Sequence, residues 1–300
     1  MKRAIPKSDV VFSRPTDLRR DLSRLEARLN LVVCDLAINE EDRDAVLMEF
    51  RRLVSIGGRV MYIDHHQLPL STTALDFHGV TLIHDERVSA SELTYKAFQD
   101  LAGSESVFLA VYGAVGDYAD HSPLIADELN RWDKRVLYLE SGLLVEALTR
   151  RRDYDFQRMV VEQLAEGRSP SEVEEVVNEA LKTLKDEYRV YEYVKKFSER
   201  RGNLAVVTQL PVKGFGGKAA IYASAITGAK VGVGVTLRNG RADLSLRTRD
   251  PLINLNELCR KLAMKLGGHG GGHPKAVGVE VPTERVQEFL DILDASLRTH

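Results

Sequence analysis

The sequence predicts an α/β protein with an N-terminal parallel sheet, a helical connector and a smaller C-terminal α+β domain. Three observations predict this. Between residues 29 and 116, short apolar runs of strand length alternate with longer segments of helical period. From about Asp153 to Arg200 the helical spacing is unbroken by a strand signal. After Gly202, strands, a hairpin signal and helices return in a different order. The domains are therefore drawn at 1–150, 151–200 and 201–300.

"LNLVVCDLA" (29–37) is valine-rich and reads as a buried strand. Asn39 is placed to cap a helix whose first turn carries Glu40, Glu41 and Asp42, and Gly57-Gly58 ends it. "RVMYID" (59–64) and "GVTLIHD" (79–85) are the next strands. Ser89 or Ser91 starts a helix through Gln99, and "SVFLAVYGAVG" reads as a buried helix ending near Gly116. Strand, helix and strand with short links imply parallel pairing. In the connector, Val173, Val177, Leu181, Leu184, Tyr188 and Tyr191 recur at helical spacing behind Ser169-Pro170. In the last domain "NLAVVTQL" is a strand and "GGKAAIYASAIT" a helix. "AKVGVGVTL" and "ADLSLRTR" form a hairpin on an Asn239-Gly240 turn of type I′. "NLNELCRKLAMKL" is a helix, "AVGVEVP" a strand and "TERVQEFLDILDASL" a terminal helix.

The composition, 44% hydrophobic and 29% charged over 300 residues, is that of a soluble globular protein. The 42 basic and 44 acidic residues cancel, so net charge gives no argument for nucleic acid, although a local basic surface stays open. Two distant cysteines, Cys34 and Cys259, exclude a disulfide framework or a CxxC site and make a reducing cytoplasm the simplest setting. No apolar run approaches the roughly 18 residues of a membrane span, and a membrane is not expected as a partner.

Two constellations carry chemistry. The first is Asp64-His65-His66, at the carboxyl end of "RVMYI". Asp35 ends the preceding strand, and Asp117 follows the "YGAVG" run. Open parallel sheets build their sites at such ends. Carboxylates with imidazole suit a hard or borderline divalent ion such as Mn²⁺. The alternative is structural, with Asp35 capping a helix and His65 packed at a strand end. The second is "LGGHGGGHPKAVG" (266–278). Five glycines in six positions are expected to exclude helix and strand and to form an anion nest, with His269, His273 and Lys275 as further donors. A flexible linker is the alternative. "VKGFGGKAA" fails the phosphate-loop pattern and reads as a helix start with Lys218 exposed. Arg247 and Arg249, on the strand after the hairpin, suit phosphate or a solvated face. His78, His84, His121 and His300 lack ligand spacing.

With both constellations, the chain resembles the DHH phosphoesterase superfamily, the RecJ-like and oligoribonuclease-like group. "YIDHHQ" looks like its signature. "GGHGGGHPKAVG" looks like the GGGHxxAxG motif of its DHH-associated domain, through Gly270, Gly271, Gly272, His273, Ala276 and Gly278. The resemblance implies metal-dependent phosphoester hydrolysis with Mn²⁺, or Mg²⁺, at the sheet ends. It implies Asp35, Asp64, His65 and Asp117 as ligands, with Asp64, His65 and His66 as the catalytic signature. His66 would stand beside the metal or face the phosphate. Arg247, His269, Gly271, Gly272 and His273 would bind substrate.

One departure accompanies it. The family's first His-x-Asp-x-Asp motif is missing; "SRPTDLRRDL" offers only Asp17 and Asp21, and 34 residues precede Asp35. The DHH domain is therefore expected to be N-terminally incomplete, or a natural variant with fewer ligands. An exposed sheet edge then favours a homodimer or a partner protein. Three functions follow: a manganese-dependent, exonuclease-like phosphoesterase on short or single-stranded oligonucleotides; an impaired module acting as a nucleic-acid-binding or scaffold subunit; or a phosphatase of a small nucleotide such as 3′-phosphoadenosine 5′-phosphate or a cyclic dinucleotide.

Overall fold

The structure, a computed structural model, describes residues 1–298; His300 lies outside them. The chain divides into two compact units, Met1–Leu181 and Lys182–His300.

In the first unit a short helix, α1 (Leu18–Ser23), precedes β1 (Asn30–Cys34), α2 (Arg43–Ser55), β2 (Arg59–Asp64) and β3 (Val80–His84). The three strands pair in parallel in the order β1-β2-β3. Central β2 is buried on both faces, which explains its unbroken apolar run. Tyr62 stacks on Phe77 at 5.6 Å and lies beside Phe50 of α2. Ile63 faces the other way, onto Val88 and Leu93. Burying each such side chain stabilises the fold by roughly 1.5–3 kcal/mol.

Helices α3 (Ala90–Ala102), α4 (Val107–Gly116), α5 (Pro123–Arg131), α6 (Lys134–Arg150) and α7 (Tyr154–Ala165) follow. Ser89 caps α3 by accepting the Glu92 N–H, and Ser122 caps α5 ahead of Pro123. The mainly apolar α4 packs on α5 and α6 through Val111, Ala114, Ile125 and Leu137. The boundary between the units falls within α8 (Glu174–Phe197).

The second unit holds β4 (Glu199–Arg201), β5 (Leu204–Thr208), α9 (Gly216–Thr227), β6 (Val231–Arg238), β7 (Arg241–Thr248), α10 (Leu255–Lys265), β8 (His269–His273), β9 (Ala276–Pro282) and α11 (Val286–Ser296). Its sheet runs β4-β5-β6-β7-β9-β8. β5 and β6 are parallel across α9; the other neighbours are antiparallel. One face, with Leu204, Val233, Leu244, Leu246 and Val279, packs on α10 and α11 through Cys259 and Phe289. The opposite face of β5 packs on α8 and α9 through Ala205, Val207, Val194 and Ala219. α9 lies so close to β6 that a Cβ on Gly232 would come within 1.7 Å of the Ala220 carbonyl. Asn239 and Gly240 both have positive φ, as a type I′ turn requires.

Several expectations need correction. The segment 153–200 is not one helix: α7 ends at Ala165, and a 3₁₀ turn closed by a Ser169–Glu172 capping box precedes α8. Along α8, Val176, Ala180, Val190 and Val194 are buried, whereas Leu181, Leu184, Tyr188 and Tyr191 stay exposed. α2 begins after Asp42 rather than Asn39, because the segment 39–42 is taken up by turns and Glu40 accepts the Leu70 N–H. Lys218 is not free at the helix start but pairs with Glu187 at 2.7 Å. β7 ends at Thr248, so Arg249 lies just beyond it. The glycine segment is a strand after all: β8 is an edge strand, supported by β9 on one side only. Among the described residues no helix is long and apolar enough to cross a membrane.

Candidate metal centre and substrate face

In the first unit the carboxyl ends of β1 and β2 lie side by side, since Cys34 pairs with Ile63. Asp35 donates its N–H to the Ile63 carbonyl at 3.0 Å and then turns the chain with φ 56°. That left-handed conformation is one aspartate tolerates better than most residues. Its side chain is half exposed, above the strand ends.

Asp64 is fully buried. Its Oδ1 lies 2.9 Å from His66 Nδ1, and its Oδ2 accepts the Tyr62 hydroxyl at 2.8 Å. The same hydroxyl is 2.8 Å from the Leu36 carbonyl, so one proton stands between two acceptors. Burial first, and then the Asp64 charge, push the Tyr62 phenol far above its ordinary range. Tyr62 thus remains a hydrogen-bond donor to Asp64 Oδ2.

His65 is held from behind. Its Nδ1 is 3.0 Å from the Val88 carbonyl. A carbonyl only accepts, so the hydrogen-bond network assigns the proton to Nδ1 and turns Nε2 toward the site. Nε2 faces Asp35 Oδ1 at 3.3 Å and Asp117 Oδ2 at 3.8 Å. Burial alone would depress this imidazole, but the hydrogen bond and charge of Asp35, with Asp117 and Asp64, outweigh it and raise its pKa. Asp117 caps the end of α4. Burial, then the Asp35 charge, push it up to about 6, against the opposing pull of His65 and His66.

The donor chemistry therefore fits a divalent cation. One imidazole nitrogen faces two carboxylates, and one of those carboxylates is strained by its neighbour's charge. A proton or a divalent cation would relieve that arrangement. Ligand atoms of Asp35, Asp64 and His66 also converge within 4.8 Å. The structure thus brings Asp35, Asp64, His65, His66 and Asp117 into one cluster.

Three supports were not legible as such. Tyr62 reads in sequence only as part of an apolar strand. The Val88 carbonyl carries no sequence signal. His84 looks ordinary, yet its Nε2 is 2.7 Å from the His66 carbonyl. Its place opposite Asp64 in the β2–β3 register was the available clue.

In the second unit, register sorts the remaining residues into rows across β7, β9 and β8. Arg247, Ala276 and His273 form one row; Ser245, Gly278 and Gly271 the next; Asp243, Glu280 and His269 the third. Successive rows are roughly 6.5–7 Å apart. The first row is basic. The third is acidic, with Arg241 and Arg238 paired to Glu280 and Asp243. Arg247 and His273 thus share a row, Gly271 adjoins them, and His269 sits apart beside Glu280. Arg247 also meets the start of α9, where a Cβ on Gly217 would come within 2.6 Å of its guanidinium. Gly272 does not join a nest: its N–H donates to Asn256 Oδ1 at 3.1 Å.

Residues 190–299 match the DHHA1 domain. No curated protein matches the chain. Among solved structures, the DHH domain of a protein described as a member of a ribosomal-protein family shares 15% identity, with a TM-score of 0.63, over 94% of this chain and 72% of that one. The pGpG-specific phosphodiesterase PggH from Vibrio cholerae shares 14%, with a TM-score of 0.57, over 99% of this chain and 93% of its own. RecJ from Thermus thermophilus, in complex with Mn²⁺, shares 16%, with a TM-score of 0.63, over 96% of this chain but 47% of RecJ. At such identities the likeness is one of fold.

Proposed function

We propose that this chain, a member of the DHH superfamily by its DHHA1 domain and its fold, is a metal-dependent phosphoesterase acting on short or single-stranded oligonucleotides. The observation that carries the reading is the convergence of Asp35, Asp64, His65, His66 and Asp117 at the strand ends. Asp35, Asp64, His65 and Asp117 would hold Mn²⁺ or Mg²⁺, with His66 against Asp64. Such an ion, when bound, supplies positive charge to the phosphate and lowers the pKa of water.

The chain's own groups do the rest. Tyr62 holds the Asp64 carboxyl in place by donating to its Oδ2, and the Val88 carbonyl keeps the proton on His65 Nδ1. Asp117 joins the cluster as a carboxylate only above about pH 6. On the second unit's face, Arg247 and His273 offer donors for phosphate, and Gly271, Gly272 and His269 complete the substrate-binding set. The likeness to a phosphodiesterase named as pGpG-specific supports a substrate of dinucleotide size. The open edge of β1 is assigned to a partner protein or second copy; a monodisperse monomer by light scattering would remove that assignment.

The test is hydrolysis of a 5′-labelled short oligonucleotide with and without Mn²⁺, with Asp64→Ala as control. Metal-dependent cleavage lost in the variant supports the reading. Absence of both cleavage and Mn²⁺ binding overturns it and leaves the impaired, nucleic-acid-binding or scaffold module. Cleavage confined to a small nucleotide selects the phosphatase.

A further inference from the structure

His273 lies on the weakest strand of the second unit. β8 reads His-Gly-Gly-Gly-His, pairs with β9 alone, and carries Gly272 at φ 150°. Glycine loses the most conformational freedom on ordering, so such a strand frays unless something else holds it. The first turn of α10 does so.

The Gly272 N–H points away from β9, where an edge strand has no partner strand, and donates to Asn256 Oδ1 at 3.1 Å. Leu255, the first residue of α10, donates its N–H to the Pro274 carbonyl at 2.8 Å. That N–H is one of the four a helix start leaves without an internal acceptor. The two bonds grip the backbone immediately before and after His273. Asn256 is only 3% exposed. A buried amide oxygen needs a donor, and the Gly272 N–H supplies one. Asn254 caps the same turn through the Glu257 N–H at 3.2 Å, so the grip stands on a finished helix end.

We propose that Asn256 is the positioning residue for His273: it fixes the backbone from which the imidazole reaches substrate phosphate. This rests on the reading of His273 as a phosphate contact. The probe is a 5′-fluorescein-labelled dinucleotide bound to the full chain without divalent metal, followed by anisotropy. Asn256→Leu, which keeps the bulk and removes the acceptor, is expected to weaken binding about tenfold, the scale of an outer supporting partner. Asn256→Asp keeps the acceptor and is expected to bind within about twofold of the parent, since a helix start favours the added negative charge. His273→Ala with Asn256→Leu is expected to bind no worse than His273→Ala alone, because both changes act through one side chain.

A second readout is independent of ligand. Exchange of the Gly272 amide with solvent is expected to quicken by about tenfold or more in Asn256→Leu and to stay unchanged in Asn256→Asp. Multiplying losses in the double variant, or unchanged Gly272 exchange in Asn256→Leu, overturns the proposal. If the parent does not bind the dinucleotide, the functional reading fails at that point, and amide exchange still decides whether Asn256 holds the strand.

Discussion

The two sheets build their candidate sites from opposite materials. In the first unit, the strand that carries the site is the most buried. β2 lies between β1 and β3, and its apolar run drives it into the core up to Asp64. Position there is a by-product of folding, and side-chain chemistry does the work. In the second unit, the strand that carries the proposed phosphate contact is an edge strand made largely of glycine. Its position comes from hydrogen bonds delivered by α10. A buried strand can carry charge because the fold holds it whatever its last residues are. An edge strand can offer bare backbone only if a neighbour holds it.

The sharpest test of this contrast is Asp64→Ala. Mn²⁺-dependent cleavage should fall by more than the roughly 100-fold that losing an outer partner costs. Circular dichroism should show the β2 sheet intact, because Tyr62 and Ile63 still anchor it. Loss of the fold would mean that the core does not hold the site independently.

Tyr62→Phe comes next. It strips Asp64 of a donor and leaves the Leu36 carbonyl without one. Mn²⁺ affinity by calorimetry should fall roughly 10–100-fold, and unfolding free energy in urea by about 1–3 kcal/mol. An unchanged affinity would remove Tyr62 from the metal site.

A glycine pair separates packing from exposure in the second unit. Gly232→Ala must push against the Ala220 backbone and should cost roughly 1–3 kcal/mol or more in denaturant titration. Gly278→Ala meets nothing within 4 Å and should be neutral or stabilising by about 0.5 kcal/mol. Equal losses at both sites would show that α9 does not set the limit.

The smallest effect expected is Asp117→Asn on metal-free protein. Folding raises the Asp117 pKa from 3.8 to about 6, mainly by burial. Between those values the folded chain keeps a proton that the unfolded chain releases, so stability falls as pH rises through that window and then levels off. The asparagine variant should melt higher than the parent at pH 7 in a chelator, with the gap closing toward pH 4. Metal binding should show the opposite trend, weakening as pH falls below about 6, because Asp117 and His65 take up protons.

Most of the architecture was legible, because it follows from local signals. "RVMYID" marks β2 end to end, "GGKAAIYASAIT" marks α9, and Asn239-Gly240 marks its hairpin. Asp35, Asp64 and Asp117 were legible as element ends, whereas the sequence of α5 and α6 carries no comparably plain signal. What escaped depends on distant atoms. The Val88 carbonyl, the Tyr62 hydroxyl and the His84 ring acquire their roles only when neighbouring strands fix them. The glycine composition of β8 argues against a strand, but pairing with β9 and the bond to Asn256 override it. The spacing along α8 points to the wrong stripe, because helical period reveals a possible face and not which face a neighbour covers.

The order β7-β9-β8 also bears on which pairings the sequence must disfavour. β7 and β8 run parallel with α10 between them in sequence, the ordinary recipe for two strands that pair directly. Here β9 takes the place beside β7, and β8 joins the sheet only through its hairpin with β9. A valine-rich β8 would compete with β9 for that place. A strand of glycine and histidine is a poor competitor for the edge of β7. The residues that look least able to form a strand thereby leave the place beside β7 to β9.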